Sequence, residues 1–200
     1  MINTGDTAWV LIATALVMLM TPAGLALFYG GLSNKKNVIN TVGMSYVAFC
    51  LATIVWVVAG YSIAFGPNGH AIFGSLEGLF LKNIPVSQVM GSIPELLFVA
   101  FQGVFAAIAV ALVSGSIVGR LKFSSWIIFS IFWVLFVYAP LVRMVWGDGL
   151  LNHLGELDFA GGTVIHINAG VAGLLLAILI GKRKEKHLGE PSPSSSKLTI

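Results

Sequence analysis

An all-α integral membrane protein with five transmembrane helices is the fold class this sequence predicts, and three observations predict it. Of 200 residues, 57% are hydrophobic and only 10% charged, where soluble domains run near a quarter charged. Five apolar stretches, about 8–32, 38–65, 96–119, 125–146 and 162–181, each reach the roughly 20 residues a helix needs to cross a bilayer. Their length argues for helices, because barrel strands would be shorter and alternate polar and apolar residues with period two. No soluble domain is visible. Met1 to Asp6 carry no basic n-region and the run after them is too long for a signal-peptide core, so the first stretch reads as retained. A single cysteine, Cys50, excludes an intrachain disulfide; within its apolar run it is expected to be a small buried side chain.

Basic residues set the orientation. With the N-terminus outside, Lys35, Lys36, Arg120, Lys122, Lys182, Arg183, Lys184, Lys186 and Lys197 fall on the cytoplasmic side and only Lys82 and Arg143 outside, nine against two. Asp6, Glu77, Glu95, Asp148, Glu156 and Asp158 go to the outer face. Residues 1–181 thus read as one five-helix unit with its C-terminus inside. Residues 182–200, charged and then rich in Pro and Ser, read as a cytoplasmic flexible tail or linker.

The first helix contains Thr21-Pro22-Ala23-Gly24, where proline removes a backbone donor and predicts a kink. Gly24, Ala26 and Gly30 suit close helix approach, and Phe28 and Tyr29 read as interfacial anchors near the cytoplasmic end. The second helix follows Lys35-Lys36. The third, after Pro94, carries Phe101-Gln102-Gly103-Val104-Phe105. Its phenylalanines, four apart, share one face, which packing or lipid contact would also explain. The amide of Gln102 needs a partner in hydrocarbon and is expected to face protein or a polar cavity. The fourth helix ends at Arg143-Met144-Val145-Trp146-Gly147-Asp148-Gly149, with an indole at the outer interface and a glycine turn.

The fifth stretch carries the chemistry. Asp158 stands before a glycine-rich apolar run, and His166 and Asn168 lie inside it. An ionisable group within the membrane is costly and usually functional. Asp158 can cap the helix start or bind a cation, and the two roles can coexist. At 1.5 Å per residue, His166 lies about 12 Å beyond Asp158, while Phe101 and Phe105 lie roughly 10 and 16 Å beyond Pro94. The two helices enter from the same face. The expected order is therefore Asp158 and Trp146 at the mouth, then Phe101 and Phe105, with a buried His166 in their layer toward the bilayer middle. Aromatic faces attract small cations, and a buried imidazole is pushed toward neutrality and can both donate and accept a hydrogen bond.

The runs Pro22–Leu32, Phe98–Ala106, Met144–Leu150 and Leu157–Gly173 resemble the ammonium transporters, the Amt/Mep/Rh superfamily, and within it the bacterial Amt type. The resemblance implies an eleven-helix fold of two inverted five-helix repeats plus one helix, of which this chain matches the first repeat. It implies homotrimers in the plasma membrane with a pore in each protomer, taking up nitrogen as ammonium. Trp146 matches the outer recruitment aromatic, Phe101 and Phe105 the pore-entrance phenylalanines, and Phe105 the gate ring. Asp158 matches the required acid before helix five, and His166 the first of two pore histidines. Such pores recruit ammonium, deprotonate it and pass ammonia along the imidazoles. The second histidine, the second gate ring and the recruitment-site hydroxyl belong to a second repeat, which lies outside this chain. So does the C-terminal segment that meets PII signalling proteins.

Other readings stay open on the sequence alone. A fragment without activity, a transport-dead ammonium sensor and an antiparallel pair of copies are alternatives, the last opposed by the nine-to-two basic bias. An enzyme is not expected, since no second catalytic group, phosphate loop or metal cluster stands at a motif spacing, and no cofactor is implied. His70, His153 and His187 fall in loops or the tail. No basic patch with interleaved aromatics points to nucleic acid; the basic rim meets the lipid bilayer.

Overall fold

The computed structural model describes residues 1–181, so the expected 182–200 tail lies outside the described residues. Five helices are long and apolar enough to cross a membrane: α1 (Thr4–Leu32), α2 (Lys35–Phe65), α3 (Glu95–Ser114), α4 (Phe123–His153) and α5 (Gly162–Ile180). Each overlaps one expected stretch. The bounds differ most at the end of α4, which runs on past the Trp146–Gly149 turn to His153, and at the end of α3, where residues 115–120 form tight turns and not further helix. Gly115 and Gly119 lie there, the second with φ +69°, a conformation that releases the helix.

Contacts at the two ends of the bundle show the chain alternating up and down. At one end Asn3 N–H donates to the Ser92 carbonyl, and Leu150 N–H to that of Ala71. At the other, Tyr29 O–H donates to the Leu112 carbonyl at 3.0 Å and Arg120 to the Gly181 carbonyl at 2.8 Å. Arg120 also bonds the carbonyls of Ala177 and Ser116. Its guanidinium thus closes the C-terminal end of α5, where free carbonyls and the helix dipole favour a cation.

Helix α3 is the most buried span and runs through the middle of the bundle. Ala106, Ala107, Ala109 and Ala111 are fully buried along it, and such small side chains let neighbouring helices approach closely. Two indoles tie the layers: Trp56 Nε1–H donates to the Val99 carbonyl at 3.1 Å and Trp126 Nε1–H to that of Met44 at 2.9 Å. A buried indole needs such a partner for its one donor. Ala26 and Gly30 are buried in α1 as expected, whereas Gly24 is exposed with open space around it.

Pro22 does not produce a simple kink. Met20–Leu25 widens into a π-helical turn, which absorbs the missing proline donor over several residues. Similar turns occur at Trp56–Gly60, Val134–Tyr138 and Gly162–Ile167, so α3 is the one span among the five without one. Cys50 corrects an expectation: it is exposed and not buried. An apolar thiol carries no penalty on a bundle face turned to lipid or to another apolar surface. The long connection 66–94 holds a short hairpin, β1 (Val89–Met90) paired antiparallel with β2 (Ile93–Pro94).

Candidate functional site

The acid, the indole and the two phenylalanines form one connected cluster at the end of the bundle that carries the 66–94 connection. Phe101 and Phe105 meet edge to face, ring centroids 4.9 Å apart, and Phe105 meets Trp146 at 6.5 Å. One helical turn separates the phenylalanines on α3, which is why they touch. All three rings are partly exposed. Trp146 Nε1–H donates to the main-chain carbonyl of Asp158 at 2.7 Å, fixing the indole plane against the loop that leads into α5.

Asp158 is a helix cap, and an extended one. Its Oδ1 accepts from Gly162 N–H at 2.8 Å, and Oδ2 from Thr163 and Val164 N–H at 2.9 Å each. The side chain reaches four to six residues ahead because Phe159–Gly161 bulges away. Gly161 turns the chain back with φ +81°, and a Cβ there would lie 2.4 Å from Ile165 Cδ1. Burial alone would raise the Asp158 carboxyl. The N–H groups of Val164, Thr163, Gly162 and Gly161 outweigh it and hold the group below its ordinary value, since hydrogen bonds to a carboxylate favour the charged form. One residue therefore joins the helix cap to the aromatic cluster, its carboxylate ordering α5 and its carbonyl ordering Trp146.

The glycine turn is equally constrained. A Cβ on Gly147 would lie 2.2 Å from the Ala64 carbonyl oxygen, so α2 and the end of the main α4 rod are packed backbone to backbone. Asp148 takes φ +59° and its carboxylate meets His153 Nε2 at 2.9 Å, both side chains exposed.

His166 stands apart from that cluster and is exposed along the described chain, where burial was expected. It lies in the π-helical turn Gly162–Ile167 and lines a cavity of about 400 Å³ with Tyr29, Leu112, Ser116, Gly170 and Gly173. Phe101 and Phe105 do not line it. Gly173 packs against Ser116, where a Cβ would stand 3.3 Å away. Leu112, which shares this cavity with His166, stands seven residues beyond Phe105 on α3, so the cavity lies about 10 Å deeper than the Phe105 position. The layers are therefore stacked, with aromatic rings above and imidazole below. The open side has a physical reason: no described element covers α5 there, and Ile167, Val171, Leu174 and Ile178 are exposed along it too.

Tyr29 was legible only as an interfacial aromatic. Its hydroxyl bond to Leu112 brings it into the wall of the His166 cavity, and the ring fills the space a Cβ on Gly115 would need. The signal available was Gly115 itself, a small residue at a helix end. Gln102 is buried as expected, but among the described residues neither its Oε1 nor the Tyr138 hydroxyl has a hydrogen-bond partner. No group of three or more His, Cys, Asp or Glu side chains able to hold a metal occurs among the described residues.

Comparison with known proteins agrees with this architecture. The family model described as Ammonium Transporter Family matches residues 8–199. An ammonium transporter of Aquifex aeolicus is 50% identical over 188 residues, covering 94% of this chain and 44% of its own length. A putative ammonium transporter of Methanothermobacter thermautotrophicus is 48% identical over 190 residues, covering 94% of this chain and 47% of its own. The crystal structure of Saccharomyces cerevisiae Mep2 superposes with a TM-score of 0.84 at 33% identity, over 98% of this chain and 46% of that one. The chain thus spans about half the length of the relatives it matches.

Proposed function

The chain belongs to the Ammonium Transporter Family, a family of multi-pass plasma-membrane transporters and not enzymes, and from that membership we propose that it builds the outer recruitment site and one wall of a path for ammonium. In this reading Trp146, Phe101 and Phe105 receive the cation at the mouth, with Phe105 as gate ring. Asp158 supports the mouth electrostatically and holds its shape. Below the rings the ion gives up its proton, which is carried separately, and ammonia passes His166. The proposal keeps the N-terminus outside and residues 1–181 as one five-helix unit.

The observation that carries the reading is the Trp146–Asp158 bond. It sets an indole face at the entrance and, through the same aspartate, orders the first turns of the helix that bears His166. A monocation gains about 0.5–2 kcal/mol over an aromatic face, more as water is stripped from it. The exposed side of the His166 cavity is the side on which a second, inverted repeat would complete the path, supplying the second histidine. Homotrimers and a PII signalling partner are proposals of the same kind, drawn from the family and not from this chain's residues.

The test is ammonium-evoked current or methylammonium uptake with the intact transporter. Trp146→Leu is expected to raise the half-saturating ammonium concentration about tenfold, the loss of roughly 1.4 kcal/mol of cation–π attraction. An unchanged half-saturation and unchanged discrimination against potassium would remove Trp146 from the recruitment site.

A further inference from the structure

Helix α3 leaves one narrow strip uncovered in its middle. From Phe101 to Val113 the only residues that are not buried are Phe101, Phe105 and Leu112. At about 100° per residue, these three fall within roughly 40° of one another around the axis. The strip runs from the ring cluster, where Phe105 meets Phe101 and Trp146, to the His166 cavity, which Leu112 lines. Between Phe101 and Val113 the helix carries a single polar side chain, Gln102, about 60° round from Phe105.

Gln102 is 9% exposed, and its Oε1 is sealed without a hydrogen-bond partner among the described residues. On its far side Val99 and Ala106 are buried, and Gly103 lies against the Trp56 indole, 3.0 Å from where a Cβ would stand. The strip is therefore the side to which the amide head can turn. An idle amide in a dry interior is less favourable than an apolar side chain of the same shape, so packing gives no reason for glutamine here. Other acceptors at the cluster are engaged: the Asp158 carboxylate receives three N–H groups and its carbonyl the Trp146 indole. Ring faces attract a cation but offer it no lone pair. At the level of the rings, Gln102 supplies the one idle side-chain oxygen among the described residues.

We propose that Gln102 is the hydrogen-bond acceptor for ammonium at the ring layer and sets the preference for ammonium over potassium. The inference rests on the recruitment site proposed above and adds a ligand to it. Rotation about the last side-chain bond, a broad torsion, turns Oε1 from the sealed side to the strip. The turn breaks no hydrogen bond of that oxygen, because it makes none. An N–H···O bond then replaces one of the waters that the rings exclude. Potassium brings no N–H donor, and it is held in pores by rings of several carbonyl oxygens, so a single amide replaces little of its hydration shell.

Ammonium-evoked current with the intact transporter, read beside thermal melting of the same purified protein, tests the assignment in Gln102→Met, Gln102→Glu and Trp146→Leu. Methionine keeps the length and removes the oxygen. Q102M is expected to raise the half-saturating ammonium concentration about fivefold, the loss of one net hydrogen bond, and to narrow the discrimination against potassium. Its melting temperature should stay level or rise, since the idle amide is gone. Glutamate presents an oxygen at either end of the group, so Q102E is expected to keep half-saturation at or below the parent's. Unchanged half-saturation in Q102M overturns the proposal. So does a lower melting temperature with current lost only in proportion, the mark of a structural amide. Should Q102M fail to fold, Q102E decides, and a raised half-saturation there overturns the assignment. A change in W146L with Q102M at parent values removes this ligand and leaves the recruitment reading standing. A change in Q102M with W146L at parent values removes the indole and keeps Gln102; no ammonium-evoked current in the parent overturns both.

Discussion

Replacing Asp158 separates structure from charge, and the hydrogen-bond geometry says how. Asp158→Ala removes the acceptor of three backbone N–H groups at 2.8–2.9 Å and is expected to cost about 2 kcal/mol, the upper end for a lost helix cap. Asp158→Asn is not a neutral replacement. Both carboxylate oxygens accept, so an amide can satisfy either Gly162 or the Thr163–Val164 pair, while its NH2 faces the remaining donor. A cost of about 1 kcal/mol, half the cap, is expected for Asn. The pH dependence carries a second signature. Because the fold holds this carboxyl below its ordinary value, its contribution is present above the unfolded carboxyl value near 3.9 and is lost as pH falls through the lower folded value. Thermal melting of the purified protein should therefore show a gap between parent and D158N that is steady from about pH 7 to 5 and closes below about pH 4. Methylammonium uptake read beside it divides the roles: loss of transport beyond the loss of folded protein assigns the charge to the cation. D158N melting with the parent at every pH, or a gap that widens in acid, would refute the capping argument.

The other consequences are simpler to read. Gly161→Ala combines a left-handed φ of +81° with a 2.4 Å approach to Ile165 and should destabilise by about 2 kcal/mol, measured by thermal melting, with uptake falling in proportion. Arg120→Gln should loosen the C-terminal end of α5, where the guanidinium bonds the carbonyls of Gly181 and Ala177; faster backbone hydrogen exchange over the last turn, with a stability loss of about 1 kcal/mol, is the expected result. Tyr29→Phe removes the bond to Leu112 while keeping the ring over Gly115, so about 1 kcal/mol of stability should go with the His166 cavity unchanged in shape, checked by accessibility of a cysteine introduced at Ser116.

Much of this was readable because membrane physics simplifies sequence. Run length alone locates five spans, since each must satisfy its own backbone in hydrocarbon. The pair Phe101 and Phe105 and the capping role of Asp158 follow from local periodicity and helix-end chemistry. Contacts between distant segments did not follow. Nothing local distinguishes Tyr29 from Phe28, yet one bonds α3 and lines the His166 cavity while the other is 57% exposed. Cys50 failed for a related reason. In a soluble protein an apolar run has one buried side, but in a membrane both sides of a helix accept apolar groups, so hydrophobicity no longer reports burial.

The same point explains the π-helical turns, which no periodicity argument marks. One surrounds Pro22, where a donor is missing. Another ends at Tyr138, two turns before Trp146, and a third contains His166. Each adds one residue to a turn and so rotates everything beyond it by roughly 100° about the axis. The rotation before Trp146 helps decide where the indole points. The one at His166 puts the imidazole on the open cavity face while Val164 and Ile165 stay buried. Among spans of similar hydropathy, α3 alone is a regular helix throughout, and it is the rod against which the others are packed. A regular central rod with rotated neighbours lets apolar helices, otherwise alike in sequence character, turn particular side chains, Trp146 toward Phe105 and His166 toward the Tyr29 cavity.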